Sequence, residues 1–304
     1  VTKEELGGWK IQGQNGTVDN VVDSEADAFE AARRFLSYMP PSVHDLPERT
    51  PPSDDPQRKE EFLLSIVPTD GKTPYKPRKI IEATVDRHSF FEIGHDWGRG
   101  MVCGLARIDG HAVGILAGDP FFLDGAWTAD VCDKVTRHMD LCSMFHLPVI
   151  HLVDCPGFAV GVKAETAGVT RAGVRAMTAI YQANVPVCSV VIRKAYGLAG
   201  SAMMNQSKTK WRYCWPSGDW GSLPMAGGIE AAFRKELAEA EDPDALKEQL
   251  YRKFDAIRSP FRTAESFLAE EIIDPRDTRP LLVDFVHHAV RVIDAGEFRH
   301  GYRP

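Results

Sequence analysis

The chain has 304 residues, of which 43% are hydrophobic and 26% are charged, and this ordinary globular composition excludes a disordered or collagen-like protein. No apolar run approaches the roughly 18 residues that a membrane-spanning helix needs, and we expect no secretory leader, because the chain opens on charged residues. The formal net charge of −7 provides no basic field for binding nucleic acid. At about 100–200 residues per domain, the length suggests two domains.

The cysteines and histidines show no metal-binding pattern. None of the six cysteines forms a CxxC pair, and neither an HExxH motif nor a pair of histidines four residues apart occurs. We therefore predict no metal site. Because free cysteines in apolar runs are typical of a reducing compartment, we also expect a cytoplasmic protein.

The N-terminal part divides at a proline-rich stretch. A capping serine and an apolar stripe predict a helix over Ser24–Met39. Prolines among charged residues then predict an extended linker over residues 40–60, since proline fixes φ and removes a backbone donor. The segment 1–39 is too small to bury a core of its own, so residues 61–304 form the main body.

Within the body, apolar strand patterns alternate with helical periodicity. Two β runs, Met101–Ile108 and His111–Gly118, flank Asp109-Gly110, which predicts a two-residue hairpin turn. The further predicted elements are a helix from Thr128, a buried strand over Pro148–Val153, a turn over Asp154–Phe158, a helix over Val169–Ala183, a buried strand over Val185–Ile192, a turn over Arg193–Ser201 that leads into a third helix, a strand over Tyr213–Trp215, and a helical C-terminal region from about Gly228 with breaks at Ser259 and Asp274. This ββα rhythm predicts an α/β fold.

The turn after the second buried strand is the first candidate site. Small residues at a strand-to-helix turn let the backbone approach a ligand, and the following helix N-terminus presents free N–H groups. Such a turn can stabilise an oxyanion. The alternative interpretation is that Gly197, Ala199 and Gly200 only permit tight packing of a helix on the sheet.

The turn after the first buried strand is the second candidate. Loops at the carboxyl ends of parallel strands bind ligands in α/β proteins, although an ordinary Pro-Gly turn explains the same residues. Asp154 is either a general base or a turn cap, and Cys155 is either a nucleophile or a buried cysteine. Without a GxSxG, Walker or dinucleotide motif, the residues offer backbone oxyanion sites and no obvious acid–base side chain.

Several motifs occur in a defined order along nearly the whole chain. They are Glu4-Glu5-Leu6-Gly7-Gly8, Phe35-Leu36-Ser37-Tyr38, Asp154-x-Pro156-Gly157-Phe158 with Gly161, Lys194-Ala195-Tyr196-Gly197, and Ile273-Asp274-Pro275-Arg276. In sequence and spacing they resemble the carboxyltransferase (beta) subunit of biotin-dependent acyl-CoA carboxylases, of the propionyl-CoA carboxylase beta type.

The resemblance implies a fold, a domain organisation and an activity. The fold would be a crotonase-like ββα superhelix of the ClpP/crotonase type. Residues 1–39 would be the C-terminal end of an N-terminal carboxyltransferase lobe, followed by the linker 40–60 and the C-terminal lobe 61–304. The activity would move a carboxyl group from carboxybiotin to the α carbon of an acyl-CoA, with the biotin itself removing the α proton, so that the protein supplies backbone oxyanion donors.

The resemblance also implies partners and site residues. Biotin would arrive on a carrier domain, acyl-CoA would be the substrate, and the partners would be the N-terminal lobe or polypeptide, a second copy of the chain, and biotin carboxylase and carrier components. The backbone oxyanion hole would use the N–H groups of Leu198 and Ala199 after Gly197. The residues that would bind biotin or substrate are Gly157, Phe158, Gly161, Tyr196, Gly200 and Ser201.

Two departures from the family pattern qualify this prediction. Leu198 stands where the family has glycine, and because leucine rarely adopts a positive φ, we expect a reshaped turn. Ser201 stands where the family has an aspartate that helps to select the acyl group, so we expect an unusual acyl substrate. The alternatives are a biotin-dependent acyl-CoA decarboxylase subunit and a catalytically inactive scaffold lobe.

Overall fold

The structure, a computed structural model, describes residues 1–203, 211–221 and 225–304. Its strands within these ranges are β1 (Phe91–Ile93), β2 (Met101–Ile108), β3 (His111–Gly118), β4 (Val149–Cys155), β5 (Val187–Tyr196), β6 (Trp211–Cys214), β7 (Asp219–Gly221) and β8 (Glu271–Ile272). Its helices are α1 (Lys3–Gly7), α2 (Trp9–Gln12), α3 (Glu25–Leu36), α4 (Pro77–Thr84), α5 (Ala129–Met144), α6 (Val162–Thr166), α7 (Val169–Gln182), α8 (Gly197–Met203), α9 (Met225–Ala232), α10 (Arg234–Glu239), α11 (Pro243–Arg258), α12 (Pro260–Glu265) and α13 (Thr278–Ala289). None of the helices in the described ranges is long and apolar enough to cross a bilayer.

The strands form one mixed sheet in the order β1-β2-β3-β4-β5-β6-β8, with β7 paired to the end of β5. The pairs β1–β2 and β2–β3 are antiparallel, whereas the strands from β3 onward pair in parallel. The predicted hairpin is confirmed, because Ile108 pairs with His111 across the turn. Asp109 and Gly110 both have positive φ, as a type I′ turn requires.

Side chains that alternate along each strand build two cores, one on each face of the sheet. In β5, Val187, Val191 and Ala195 belong to the core on the side of α5 and α7. Cys188 and Val190 belong to the core on the opposite side, which α4 and α13 cover. The central strands are therefore buried on both faces, as their uninterrupted apolar runs predicted.

The N-terminal segment lies against this body. Helix α3 begins where predicted, with the Ser24 hydroxyl accepting the Asp27 N–H at 3.1 Å, and it ends at Leu36, three residues earlier than expected. Its residues are not buried, but the ring of Tyr38, which follows it, packs 6.5 Å from that of Phe91. Residues 40–60 contain no helix or strand, and their role as a linker between two lobes stays a prediction.

The C-terminal region contains the predicted breaks. Helix α11 ends at Arg258 before Ser259-Pro260, and α13 follows a short 3₁₀ turn that starts at Pro275. The strand β8 and the irregular residues 290–304 were not predicted. The irregular segment is anchored because Arg303 donates two hydrogen bonds of 2.7 Å to the carboxylate of Asp140 on α5.

Two fully buried histidines give the fold a predictable pH dependence. His138 on α5 and His151 on β4 are enclosed in the core, and burial lowers the pKa of each to about 3. The Nε2 atom of His151 has no hydrogen-bond partner among the described residues. Both imidazoles are therefore neutral in the folded protein at neutral pH.

Because the unfolded chain binds protons at these histidines near pH 6.5 and the folded chain does so only near pH 3, the free energy of unfolding falls as pH decreases through this window. Between about pH 7.5 and about pH 5 we expect each histidine to remove about 2 kcal/mol of stability. Urea titrations at both pH values measure this loss. The variant His151→Gln should reduce this loss of stability by about 2 kcal/mol, whereas His300→Gln, at an exposed position, should leave the loss unaltered. An equal loss in the wild type and both variants would contradict the assignment of this pH dependence to His151.

Candidate active site

The carboxyl ends of the parallel strands β3, β4 and β5 share one edge of the sheet, where α/β proteins place ligands. Both buried strands extend further toward this edge than the sequence predicted. Asp154 and Cys155 belong to β4, and the last four residues of β5 are Arg193–Tyr196, which the prediction had placed in turns. The turns themselves are therefore shorter, and they begin after Cys155 and after Tyr196.

A buried ion pair explains why charged residues continue these strands. The guanidinium of Arg193 lies 3.0 Å from the carboxylate of Asp154, with side-chain exposures of 4% and 1%. The carboxylate also accepts the backbone N–H of Lys194 at 3.0 Å, and Arg193 donates to the Thr73 carbonyl at 3.0 Å. Each buried charge thus has a partner on the neighbouring strand or loop. Because paired charges can be buried, both strands continue through these charged residues.

The turn after β5 has the backbone geometry of a donor site. Gly197 has a φ of 60°, a conformation that side-chain-bearing residues rarely adopt, and α8 starts there. The Leu198 and Ala199 N–H groups are in the first turn of α8, where N–H groups have no partner within the helix. Because Gly197 has the positive φ, Leu198 does not need a positive φ. The reason for expecting a reshaped turn is therefore absent.

The other residues of this turn have distinct environments. Leu198 is 69% exposed, whereas Ala199 is fully buried. A Cβ on Gly200 would lie 2.4 Å from the carbonyl carbon of Ala195, so this glycine is required for packing of α8 on β5. Ser201 is exposed. The packing interpretation therefore holds for Gly200, while the turn at Gly197 and Leu198 stays open to a ligand.

The turn after β4 lies beside it. Gly157 has a φ of 118°, and its carbonyl accepts the Trp127 N–H at 3.0 Å. A Cβ on Gly157 would be 3.8 Å from the Tyr196 carbonyl oxygen, so the two turns lie side by side at this edge. Phe158 faces inward, with its ring edge-on to Trp127 at 6.0 Å. Gly161 has a φ of 110° and open space around it.

Neither polar candidate of β4 faces this open edge. Burial raises the pKa of Asp154, while Arg193 acts in the opposite direction, and the ion pair occupies the carboxylate. Burial also raises the pKa of the Cys155 thiol, which disfavours the thiolate that a nucleophile requires. The buried-cysteine interpretation is therefore favoured for Cys155. Asp154 is neither an available base nor a turn cap, because its carboxylate pairs with Arg193 and Lys194 on β5.

Side chains from distant parts of the chain complete the edge, and the sequence analysis missed them. The ammonium of Lys194 pairs with Asp124, which lies in a turn before α5 and has a φ of 58°. The hydroxyl of Tyr196 contacts Asp219 on β7 and Arg258 at the end of α11. Separations of 23 to 70 residues leave no local signal for these pairs. Within the described residues, no group of three or more His, Cys, Asp or Glu side chains could hold a metal ion.

This fold and edge, with backbone donors in the turn after β5 beside a second glycine turn after β4, define a protein of the crotonase-like class. The family model for the carboxyl transferase domain matches residues 1–291. The chain therefore belongs to the carboxyl transferase domain family.

Curated relatives and a solved structure agree with this assignment. The chain is 32% identical over 286 residues to a propionyl-CoA carboxylase carboxyltransferase subunit from Haloferax mediterranei, covering 93% of this chain and 55% of the relative. It is 30% identical over 286 residues to a methylmalonyl-CoA decarboxylase alpha subunit from Veillonella parvula, with the same coverage of 93% and 55%. The chain thus spans about half the length of the curated relatives that it matches.

The solved structure of a transcarboxylase 12S hexamer with methylmalonyl-coenzyme A bound superposes with a TM-score of 0.90 at 30% identity, over 100% of this chain and 59% of that one. The predicted crotonase-like fold is confirmed. Since a relative named for long-chain acyl-CoA matches at 31% identity, close to the 32% of the propionyl-CoA relative, the broader family is confirmed, and the propionyl type stays a prediction.

Proposed function

We propose that this chain is the carboxyl-transferring part of a biotin-dependent acyl-CoA carboxylase, which moves a carboxyl group from carboxybiotin to the α carbon of an acyl-CoA. The observation that carries the proposal is the turn at Gly197, which presents backbone N–H groups without helical partners beside a second glycine turn. At this edge the Asp154 carboxylate is held in an ion pair and the Cys155 thiol is buried. The membership in the carboxyl transferase domain family and the biotin-dependent relatives support it. The six free cysteines are all buried, which supports a cytoplasmic location.

The residues at this edge fit the ureido ring of biotin. The ring carries a carbonyl oxygen that needs N–H donors, and the Leu198 and Ala199 N–H groups supply them. The exposed side chains of Leu198 and Val160, 69% and 89% accessible, flank the turns with apolar surface for the rest of the group. When bound, biotin supplies the transferable carboxyl group and the base.

The chain's own contribution is to stabilise developing negative charge. N–H groups fixed in the first turn of a helix need no reorganisation when charge develops on a carbonyl oxygen, and one such donor contributes about 10²–10³ in rate. We place these donors at Leu198 and Ala199 after Gly197. We assign Gly157 and Gly161 to the backbone wall of the same site, Phe158 to its inner support, and Ser201 to its outer rim.

We further propose that the active enzyme contains an N-terminal carboxyltransferase lobe, a second copy of this chain, and biotin carboxylase and carrier components. Curated relatives are nearly twice as long as the matched region, and one solved relative is a hexamer. Exposed apolar residues on the N-terminal segment, among them Leu6, Trp9 and Phe29, offer surface for such a partner.

The decisive experiment purifies the chain with the polypeptides that accompany it and supplies free biotin and methylmalonyl-CoA. The expected result is biotin-dependent formation of the decarboxylated acyl-CoA by the assembly, in which the carboxyl group passes to the biotin nitrogen and the proton of that nitrogen passes to the α carbon. We expect the isolated chain to be inactive. Activity that is independent of biotin, or a monodisperse monomer with full turnover, overturns the proposal.

The decarboxylase alternative is favoured by the Veillonella parvula relative, which is about as similar as the carboxylase subunit. A carboxylase assembly incorporates labelled bicarbonate into acyl-CoA when ATP is added, whereas a decarboxylase assembly only releases the label from the carboxylated substrate. The alternative of a catalytically inactive scaffold lobe rests on the departures at Leu198 and Ser201. The departure at Leu198 no longer supports it, because Gly197 has the positive φ.

Ser201 provides a test of substrate selection. Serine is small and neutral where an aspartate would add charge and length, so we expect the enzyme to prefer a larger or more polar acyl group than propionyl. The variant Ser201→Asp should shift kcat/KM between two acyl-CoA substrates by about 1–3 kcal/mol, the usual value of one pocket contact. Ser201→Ala serves as the neutral control, and unchanged ratios across a substrate panel would show that Ser201 is outside the acyl pocket.

A further inference from the structure

The hydroxyl of Tyr196 lies in a closed group of polar side chains from three separate elements. Tyr196 is the last residue of β5, Asp219 is the first of β7, and Arg258 is the last of α11. The tyrosine hydroxyl donates to the Asp219 carboxylate, and Arg258 donates to both the carboxylate and the hydroxyl oxygen. We call these three residues the tyrosine clamp.

The geometry of the clamp is that of a strong, oriented contact. The Nε atom of Arg258 donates to one Asp219 oxygen at 2.6 Å, and a terminal nitrogen donates to the other, so the pairing is bidentate. The guanidinium also lies 5.4 Å from the centre of the Tyr196 ring. Tyr196 is 3% exposed, and the Arg258 side chain is 16% exposed, so solvent screens the group only partly. The position of Arg258 at a helix C-terminus adds a favourable dipole contact.

The clamp acts on the residue that directly precedes the donor turn. Strand β7 pairs with the last three residues of β5, with Tyr196 opposite Gly221. Gly197 then takes a positive φ, and α8 begins at this glycine. Because glycine has the widest conformational freedom of any residue, it does not by itself fix the direction in which the helix leaves the strand. The orientation of its first N–H groups therefore depends on how firmly Tyr196 is held.

We infer that Asp219 and Arg258 are positioning residues, which fix the backbone donors of Leu198 and Ala199 through the hydroxyl of Tyr196. This inference rests on the proposed function and deepens it. Oxyanion donors accelerate a reaction only if they are already oriented, and a misplacement of about 1 Å costs up to about a hundredfold in rate. Tyr196 therefore contributes to the site through its backbone, because its side chain is occupied by the clamp.

The test compares Tyr196→Phe, Arg258→Gln and the double variant in the assembled enzyme. The matched controls are Tyr213→Phe, a buried tyrosine on the adjacent β6, and Arg252→Gln, an exposed arginine on the same helix α11 that pairs with Glu248. The first readout is kcat and KM for biotin-dependent decarboxylation of methylmalonyl-CoA. The second readout, on the ligand-free protein, is amide hydrogen exchange over residues 194–201.

We expect each clamp variant to lower kcat about tenfold with little change in KM, and to accelerate exchange over residues 194–201. The double variant should be no worse than Tyr196→Phe, because Arg258 acts on the turn only through the hydroxyl that this variant already removes. Both control variants should match the wild type in kcat, in KM and in exchange over residues 194–201. A purely structural role predicts a lower denaturation midpoint with kcat unaltered per folded molecule. If Arg258→Gln does not fold, Arg258→Lys keeps the charge and removes only the bidentate geometry.

Unchanged exchange over residues 194–201 in Tyr196→Phe overturns the inference, as does multiplication of the two single-variant effects in the double variant. The proposed function fails separately, if the wild-type assembly shows no biotin-dependent reaction. In that case the exchange measurement still decides whether the clamp holds the turn.

Discussion

Replacing Leu198 by proline should abolish most of the carboxyl transfer while leaving the fold intact. Proline removes the backbone N–H that we assign to the oxyanion hole, and loss of one such donor lowers kcat by about 10²–10³. Leu198 is the second residue of α8, where a proline is tolerated because that N–H has no helical partner. Its side chain is 69% exposed, so the change removes little packing. Gly197, which precedes it, lacks the Cβ that clashes with a proline ring.

The control is Leu198→Ala, which removes the same exposed side chain and keeps the donor. It should retain kcat near that of the wild type and raise only the KM for biotin, because the lost side chain contributes apolar surface and no donor. Ala199 is less suitable for a proline because it is fully buried at the third position of the helix, where lost activity could not be separated from lost packing. Steady-state kinetics of biotin-dependent decarboxylation, together with urea unfolding, provide the measurement. A folded Leu198→Pro protein with full activity would show that this N–H is not a donor to the reacting oxygen.

Sequence periodicity predicted the strands β2 to β6 and the helices α5 and α7, where apolar side chains decide the structure, whereas β1, β7 and β8 were not predicted. The uninterrupted runs of β4 and β5 predicted strands buried on both faces. The helix predicted from Thr128 is α5, and the structure shows that the Thr128 hydroxyl caps it by accepting the Val131 N–H at 3.3 Å. The predicted carboxyl ends of β4 and β5 were wrong, because charged residues normally indicate an exposed turn. Asp154 and Arg193 neutralise each other across 39 residues of sequence, and no local pattern reports that pairing.

The candidate site could be located in the sequence, but its geometry could not. Positions 197–199 were predicted from a strand-to-helix turn and from the family resemblance. The assignment of positive φ to Gly197, which makes Leu198 compatible with the turn, follows only from the backbone. The roles of Asp219 and Arg258 were missed because both are remote in sequence from Tyr196 and are brought to it by β7 and α11.

The buried ion pair beneath both turns should carry a large part of the stability of this edge. Asp154 is 1% exposed and Arg193 is 4% exposed, and their charged groups are 3.0 Å apart. Removing one partner of such a pair leaves an uncompensated charge in the interior, which costs about 3–5 kcal/mol. We therefore expect Asp154→Asn to lower the free energy of unfolding by about 3 kcal/mol or more, measured by urea titration as a lower midpoint at constant m-value.

A second change separates the cost of a stranded charge from the value of the pair itself. The asparagine oxygen can still accept the Lys194 N–H, so the main loss in Asp154→Asn is the unpaired guanidinium of Arg193. Replacing that guanidinium as well, in Asp154→Asn with Arg193→Met, should therefore recover at least about 1 kcal/mol relative to the single variant. Glu248→Gln is the exposed control, because both partners of the Arg252–Glu248 pair are exposed, at 78% and 65%, and surface pairs contribute about 0–1 kcal/mol. A double variant that is less stable than Asp154→Asn would mean that Arg193 stabilises the edge through Thr73 and Asp124, independently of Asp154.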